Sequence, residues 1–368
     1  MFYAHITGWG MAVPATTLTN ADLEKMVETS DEWIRERTGI LERRIAREGE
    51  YPADLATRAA LQALQVANLS PADLELVICA TSSPEHLFPA TACLVQDRIG
   101  ANKAGAFDLS AACSGFIYAV QMAAQSIRSG ALRNALVIGT ENLSRFVDWN
   151  DRNTCILFGD GAGAFVLQAS ERPGGVLSAV LRSDGSGADL LSVPAGGSRF
   201  PASAESVRSG QHFIHMDGRE VFRFATRVMA QSTREALQAA GLRVEDVHLI
   251  IPHQANYRII EAAARGLKLP IEKFVVNVQR YGNTSTASIP IAVCEAVQQG
   301  QLQAGDKIVL VGFGAGLTWG ALTAEWTGPL PAERRVNVRG FVWLARLRSL
   351  YRRLVRFIEG ILWGRREV

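Results

Sequence analysis

The feature that most constrains the fold of this chain is a regular alternation of short apolar, β-branched runs with stretches whose apolar residues recur at helical spacing. In the first part of the chain this pattern predicts buried strands at 74–82, 104–110, 134–142 and 162–170. The stretches at 54–67 and 114–130 have the spacing of amphipathic helices. Such alternation is typical of a parallel or mixed sheet covered by helices. We therefore expect an α/β protein.

The second part of the chain repeats the same order of elements. It predicts a helix at 221–241, a strand at 247–254 followed by a helix, a strand at 274–279, a helix at 287–300 and a strand at 306–316. Both parts end in a Gly/Ala-rich turn that leads into an apolar strand, at 158–170 and 312–326. We interpret this as an internal duplication with halves at 1–172 and 173–328, followed by a tail at 329–368. Residues 183–212, rich in Gly, Ser, Ala and Pro, form a long surface excursion.

Composition excludes several classes of protein. The 368 residues are 48% hydrophobic and 20% charged, and no apolar run reaches the roughly 18 residues of a membrane span. The N-terminus lacks the features of a signal peptide. The cysteines are scattered, without disulfide or metal spacing, at positions 79, 93, 113, 155 and 294. We expect a reduced, cytoplasmic protein. The net charge of +2 is the sum of +7 from residue 332 onward and −5 in the preceding body of the chain. The acidic body argues against a core that binds nucleic acid.

Three polar side chains follow three different predicted strands. Cys113 lies at a strand-to-helix turn among small residues, where a helix N-terminus favours a thiolate and lowers its pKa. His253 follows the strand at 247–254, and Asn283 follows the strand at 274–279. Each residue alone also fits a structural role, as a core thiol, a satisfied histidine or a turn asparagine. Because active sites of open α/β sheets collect at the carboxyl ends of strands, we expect the three to form one site.

Seven stretches of this sequence resemble β-ketoacyl-acyl-carrier-protein synthase III, a family of condensing enzymes with the thiolase fold. They are TSDEWIRERTGILERRIA (29–46), AACSGFIYA (111–119), DRNTCILFGDGAGA (151–164), MDGREVFRFA (216–225), PHQANYRII (252–260), RYGNTSTASIP (280–290) and GFGAGLTWG (312–320). The resemblance extends to about residue 327. It implies a thiolase-like fold with duplicated βαβαβαββ halves in α/β/α/β/α layers.

The resemblance also implies a reaction. Cys113 would take an acyl group from a coenzyme A thioester, and malonyl-acyl-carrier protein would then lose CO2 and attack it. No cofactor is expected beyond these two substrates. His253 and Asn283 would act as neutral donors to the enolate oxygen. The backbone N–H groups of Cys113 and Ala315 would hold the acyl-transfer oxyanion, and Phe313 would press on the malonyl carboxylate.

The same resemblance assigns substrate contacts. Trp33 and Arg152 would stack on the adenine of coenzyme A, with Thr29 and Arg37 in polar and phosphate contacts. The pantetheine tunnel would be lined by Met216, Phe222, Ala255 and Asn256. Phe88 would cross a homodimer interface and close the primer pocket of the neighbouring subunit. The acidic carrier protein would meet a basic rim at Arg223, Arg258 and Arg265, which could equally be solvated surface charges.

The tail has no counterpart in the family, which normally ends near Trp326. On a helical projection one face holds Leu344, Leu347, Leu350, Tyr351, Leu354, Ile358 and Ile361. The other face holds Arg346, Arg348, Arg352, Arg353 and Arg356, and Trp343 and Trp363 stand near the ends. This is typical of an interfacial membrane helix, and equally of a helix docked on the protein or on a partner with solvated arginines.

Two other functions fit the same motifs. The first is a related starter synthase or acyltransferase of a secondary-metabolite pathway that uses the same Cys, His and Asn. The second is a non-catalytic scaffold whose tail recruits enzymes to a membrane. An intact set of Cys113, His253 and Asn283 argues against the scaffold.

Overall fold

The structure is a computed structural model that describes residues 2–330 and 336–362. Its strands are β1 Tyr3–Ala12, β2 Thr17–Thr19, β3 Glu42–Arg44, β4 Leu76–Ala80, β5 Gly105–Leu109, β6 Asn134–Asn142, β7 Asp160–Ser170, β8 Gly175–Ser183, β9 Leu191–Ser192, β10 His215–Met216, β11 Leu249–Pro252, β12 Lys307–Gly314 and β13 Thr318–Glu325. Its α-helices are α1 Asn20–Leu23, α2 Asp31–Thr38, α3 Pro52–Ala67, α4 Thr91–Ile99, α5 Gly115–Arg128, α6 Ala204–Arg208, α7 Gly218–Ala239, α8 Tyr257–Leu267, α9 Val278–Tyr281, α10 Ser288–Gln298 and α11 Val338–Leu362.

Two sheets share one topology, as a duplication requires. The first has the strand order β1-β7-β6-β4-β5, in which β1, β7 and β6 are antiparallel and β6, β4 and β5 are parallel. The second has the order β8-β13-β12-β11, again with two antiparallel pairs followed by a parallel pair.

The strand expected at 274–279 is the one element that was wrongly predicted. A single parallel bridge joins Phe274 to Ile250, in the position that β5 holds in the first sheet, and α9 begins at Val278. The side-chain oxygen of Gln254 accepts hydrogen bonds from the backbone N–H groups of Asn277 and Val278. These donors are therefore not available to a strand ladder, and the segment turns into a helix.

The layers follow from the apolar faces of the helices. Helices α5 and α10 lie between the two sheets, where Phe116, Ile289 and residues of both sheets form one buried cluster. Helices α3 and α4 cover the outer face of the first sheet, and α7 and α8 cover that of the second. The predicted α/β/α/β/α thiolase-like arrangement is confirmed.

Close backbone approach at two glycines brings the strand ends together. A Cβ at Gly139 of β6 would lie 2.2 Å from the carbonyl oxygen of Thr286, in the connection that precedes α10. A Cβ at Gly314 would lie 2.5 Å from the backbone nitrogen of Cys113. Only glycine allows these approaches, so elements of both halves meet at one place.

The tail forms one long helix, α11, which packs on α4 and α3. Val338 is buried in the apolar cluster around α3, and Ser349 bonds Asp97 of α4 at 2.9 Å. Trp363, which was expected near the end of this helix, lies outside the described residues. Across residues 2–330 and 336–362 no helix is both long enough and apolar enough to cross a bilayer.

Candidate active site

Cys113 lies in a strained turn between β5 and α5. The turn is a short 3₁₀ helix, Ala112–Ser114, that runs directly into α5. Ala112 has a φ of +46°, in the left-handed region that residues other than glycine rarely occupy. Such strain is tolerated where the surrounding structure fixes the backbone, as it often does at active sites. The Cys113 side chain is consequently presented at the helix N-terminus, as the sequence predicts.

The expected lowering of the Cys113 pKa is not observed. The residue is 7% exposed, and burial raises the pKa of its thiol to about 12, while the neighbouring Ser285 hydroxyl acts in the opposite direction. Burial disfavours the thiolate because a charge loses its hydration. The raised pKa favours the thiol form of Cys113 at neutral pH.

His253 follows β11 and is buried and neutral. Burial lowers the pKa of its imidazole to about 3. Nδ1 lies 2.7 Å from Oγ of Ser288, which holds the ring in place. Nε2 is buried, and no polar atom of the described residues is within hydrogen-bond distance of it. The imidazole therefore has one nitrogen held by the protein and the other free for a substrate.

Asn283 is oriented by the backbone around it. Its N–H donates to the carbonyl of Leu157 at 2.8 Å, and its side-chain Oδ1 accepts the N–H of Ser285 at 2.8 Å. This bond fixes the orientation of the side-chain amide, and Nδ2 is then the atom that can donate to a ligand. Ser285 has a φ of +47°, so a second strained turn lies beside the site.

The three residues line one narrow cavity that connects two larger ones. The inner cavity, about 80 Å³, is lined by Cys113, His253 and Asn283 together with Phe313. An outer cavity of about 590 Å³ shares several of its walls, at Leu157, Met216, Gly218, Phe222 and Asn256. A third cavity, about 450 Å³, is also lined by Cys113 and includes Ala315. Cys113 thus stands at the junction between an entrance and a pocket.

The outer cavity is lined by two of the four residues expected to contact the nucleotide part of coenzyme A, Trp33 and Arg37. The Arg152 guanidinium lies 4.7 Å from the centre of the Trp33 ring, and that of Arg37 lies 5.7 Å from it. The Asn256 amide donates to the backbone carbonyl of Arg37 at 2.9 Å. Thr29 and Arg152 are not among the residues that line this cavity, although Arg152 contacts Trp33, which does line it. The contacts of these residues with coenzyme A stay a prediction.

Other predicted residues divide between the cavities and the surface. Ala255 lines the inner cavity, where the Phe313 ring meets the His253 ring edge to face at 5.4 Å. Phe88 is 86% exposed and lies outside the three cavities of this chain. Its predicted role requires a second subunit.

Of the predicted basic rim, one arginine lies at the entrance. Arg258 lines the outer cavity, with its guanidinium 5.4 Å from the centre of the Phe222 ring. Arg223 is paired with Glu220 at 3.0 Å, and Arg265 with Glu261 at 3.8 Å. These neighbouring glutamates reduce the positive potential that a carrier protein would meet.

Sequence reasoning missed Ser285, Ser288 and Glu141. The carboxylate of Glu141 is fully buried, and it accepts hydrogen bonds from Ser83 Oγ at 2.6 Å and Thr286 Oγ1 at 2.9 Å. Burial raises its pKa. The series of serine and threonine residues that follows Asn283 in the sequence could have indicated Ser285 and Ser288. No cluster of three metal-ligating side chains occurs within the described parts of the chain.

Comparison with known proteins decides the family. Residues 107–185 and 237–326 match the families described as 3-oxoacyl-[acyl-carrier-protein (ACP)] synthase III and its C-terminal domain. A beta-ketoacyl-[acyl-carrier-protein] synthase III of Roseiflexus sp. (strain RS-1) is 55% identical over 325 residues, which are 88% of this chain and 99% of the relative. The chain belongs to the β-ketoacyl-acyl-carrier-protein synthase III family.

Other members and their structures agree with this assignment. The synthase III of Symbiobacterium thermophilum is 57% identical over 321 residues, 87% of this chain and 97% of the relative. The crystal structure of the Aquifex aeolicus VF5 synthase III has a TM-score of 0.81 and 50% identity, and covers 88% of this synthase and 100% of the other chain. The match to the C-terminal family ends at residue 326, so α11 lies beyond it.

Proposed function

We propose that this synthase III starts fatty acid synthesis by transferring an acyl group from acyl-CoA to Cys113 and condensing it with malonyl-acyl-carrier protein. The observation that carries this proposal is one thiol at the junction of an entrance and a pocket, with an imidazole and a carboxamide on the same narrow cavity. This arrangement suits a long, thin thioester arm that delivers its reactive carbon to Cys113.

In the first stage Cys113 Sγ attacks the thioester carbonyl. The C–S bond to Cys113 forms, the C–S bond to coenzyme A breaks, and coenzyme A leaves as a thiol with the proton that Cys113 gives up. The carbonyl oxygen carries negative charge in between, and the backbone N–H groups of Cys113 and Ala315 are the donors proposed for it. The helix N-terminus of α5 stabilises the thiolate as it forms.

In the second stage the malonyl thioester loses CO2 and its α-carbon attacks the acyl carbonyl on Cys113. The products are a 3-oxoacyl-acyl-carrier protein, CO2 and free Cys113. Negative charge develops on the malonyl thioester oxygen, for which Nδ2 of Asn283 and Nε2–H of His253 are the proposed donors. A neutral His253 is suited to this role, and the apolar contact of Phe313 disfavours the charged carboxylate.

The experiment separates the two stages. The protein is incubated with acetyl-, branched and longer acyl-CoAs, and the acyl adduct on Cys113 is measured by intact-protein mass. Malonyl-acyl-carrier protein is then added and the 3-oxoacyl product is identified. Cys113→Ala should form no adduct, whereas Asn283→Ala should form the adduct and lose ~10²–10³ in condensation rate. An adduct on Cys113→Ala, or no adduct on the unmodified protein, would refute the proposal.

A starter synthase of a secondary-metabolite pathway is the alternative. The priming β-ketosynthase from the R1128 polyketide biosynthetic pathway has a TM-score of 0.83 but 35% identity, over 89% of this chain and 97% of its own. The synthase III relatives from Roseiflexus and Symbiobacterium are 55% and 57% identical. This difference favours the fatty acid function, and the acyl-CoA panel distinguishes the two.

The enzyme is further proposed to act in the cytoplasm as a homodimer, with residues 1–172 and 173–328 as the halves of each catalytic unit. β5 is an open edge of the first sheet. Phe107 on β5 is an exposed apolar side chain, and so are Leu87 and Phe88 in the segment before α4. An open edge with apolar neighbours supports pairing with a second copy. Arg258 is the proposed first contact for the acidic carrier protein, and α11 is proposed as a peripheral contact surface.

A further inference from the structure

Helix α11 and the residues just before it are attached to the enzyme by two valines, an alanine and a serine. Ala345 packs directly against Gly100, where a Cβ would lie 2.5 Å from the Ala345 Cβ, and Ser349 bonds Asp97. Val338 and Val336 join the apolar cluster around α3. At about 100° per residue, positions 338, 345 and 349 share one side of the helix. That side faces the body of the enzyme.

The opposite side of α11 is apolar and open to solvent. Leu354 follows Ala345 by nine residues and is thus about half a turn away from the attached side. We call the outer face the set of side chains that surround Leu354 and are 44–67% exposed, namely Trp343, Leu344, Leu347, Leu350, Tyr351, Leu354, Phe357, Ile358 and Ile361. Helix α11 thus packs on the body of the enzyme by the side opposite its apolar face, which leaves that face uncovered.

The outer face is unusual for the surface of a globular protein. Ten of the twenty exposed large apolar side chains in the described residues belong to α11. Single exposed apolar residues are common, whereas a contiguous strip of them marks a binding surface. With 25 residues, α11 is about 37 Å long, so the strip is long and narrow.

The charges on α11 define the partner of the outer face. Residues 336–362 contain six arginines against Glu359 as the only acidic residue. Arg348, Arg352, Arg353 and Arg356 are exposed, and no ion pair within the described residues neutralises them. At about 100° per residue Arg348 and Arg353 flank the outer face, whereas Arg352 and Arg356 lie on the opposite side of the helix. Pairing with the α11 of a second copy would bring arginine rows together and cost free energy. An anionic lipid surface offers acyl chains to the apolar side chains and phosphates to the guanidinium groups.

We propose that α11 binds the surface of an anionic bilayer, lying in the plane of the membrane with the outer face inserted at the headgroup boundary. The attached side keeps the catalytic body above the lipid. The body carries a net −5, which an anionic surface repels, so the attraction comes from the tail. This inference does not depend on the substrate of the enzyme.

The test is co-sedimentation of the full-length enzyme with vesicles of phosphatidylcholine alone or mixed equally with phosphatidylglycerol. We expect binding to the mixed vesicles, reduced by added salt. Leu354→Asp should weaken the vesicle partition coefficient by about tenfold or more, because a charge replaces an inserted side chain. Replacing both Arg348 and Arg353, which flank the outer face, with Gln should weaken it by roughly fivefold per charge.

The matched control is Val207→Asp, which places the same charge on an exposed apolar position (65% exposed) outside α11 and should leave vesicle binding unchanged. Acyl-CoA turnover without vesicles should be equal in all variants, which shows that they fold. The proposal is overturned if the enzyme ignores mixed vesicles, or if Leu354→Asp binds them as well as Val207→Asp does. It is also overturned if Leu354→Asp changes only the oligomeric state, since the outer face would then contact a second copy.

Discussion

Ser288 stands behind His253 and has one hydroxyl proton for two neighbours. Its Oγ lies 2.7 Å from Nδ1 of His253 and 2.8 Å from the carbonyl oxygen of Ser285. When the proton points to Nδ1, the imidazole hydrogen is on Nε2, which can donate to an enolate oxygen. When it points to the carbonyl, the hydroxyl oxygen can instead accept a hydrogen from Nδ1. The Ser288 hydroxyl can therefore hold either neutral tautomer of His253, and the tautomer with its hydrogen on Nε2 is the one that can donate to an enolate oxygen.

Replacing Ser288 with Ala should lower the condensation rate by about 10–100-fold, because His253 loses the group that fixes its ring. Two quantities are measured for the variant and for the unmodified enzyme: the single-turnover condensation rate and its dependence on pH. We expect the pH dependence to shift as well. Ser288→Thr keeps the hydroxyl and should restore part of the rate. Ser126→Ala, which removes an exposed helix hydroxyl, is the control. Equal rates for the two alanine variants would contradict a positioning role for Ser288.

The raised pKa of Cys113 predicts how the alkylation rate of its thiol varies with pH. Only the thiolate is alkylated, and its fraction rises about tenfold per pH unit while the pH is below the pKa. With a pKa of about 12, the iodoacetamide rate should climb steadily from pH 6 to 9 without a plateau. The Cys113→Ala variant gives the alkylation rate of the other cysteines, which is subtracted as background. A plateau near neutral pH would mean that the thiolate already exists in the free enzyme.

At the scale of elements, Gly139 in β6 controls where the connection after Asn283 lies. Gly139→Ala would put a Cβ 2.2 Å from the carbonyl oxygen of Thr286 and force that connection to move. We expect a loss of about 1–3 kcal/mol in the free energy of unfolding and at least a tenfold fall in condensation rate.

Thermal unfolding and single-turnover kinetics measure the two effects of Gly139→Ala. Gly197→Ala is the control, since no atom lies within 4 Å of a Cβ at that position. If both glycine variants behave like the unmodified enzyme, the contact between β6 and the connection is not important for the site.

The elements that could be predicted from sequence are those whose pattern is local. Apolar runs and helical spacing located β6 and α5 closely, and Cys113 and His253 each follow a strand as expected. The strand at 274–279 failed because Gln254, some twenty residues earlier, binds its backbone. Glu141 and Ser288 were missed because their roles depend on contacts between distant connections. A helical projection defines the two faces of α11 but cannot tell which one fits against Gly100.

At the scale of the whole molecule, the open edge of the first sheet predicts assembly through β5. Phe107 on β5 is 43% exposed, and Phe107→Asp should introduce like charges across a paired edge. Analytical ultracentrifugation should give twice the chain mass for the unmodified enzyme and a mass near that of one chain for the variant.

Met26→Asp, at another exposed apolar residue (47% exposed), should leave the mass at twice that of the chain. The Phe107→Asp variant should also lose condensation activity, since Phe88 of each subunit is proposed to cover the pocket of the other. A variant that keeps the double mass would place the interface elsewhere.

The narrow cavity at Cys113 has a further consequence for which primers the enzyme accepts. In the proposed homodimer a second subunit covers the 450 Å³ pocket, and an acyl group then reaches this pocket through the inner cavity, whose volume is only about 80 Å³. The width of the acyl chain then determines the rate at which it enters the pocket, and its length determines whether the pocket can hold it. Branched and straight primers of equal volume should therefore differ in loading speed even where the loaded forms are equally stable.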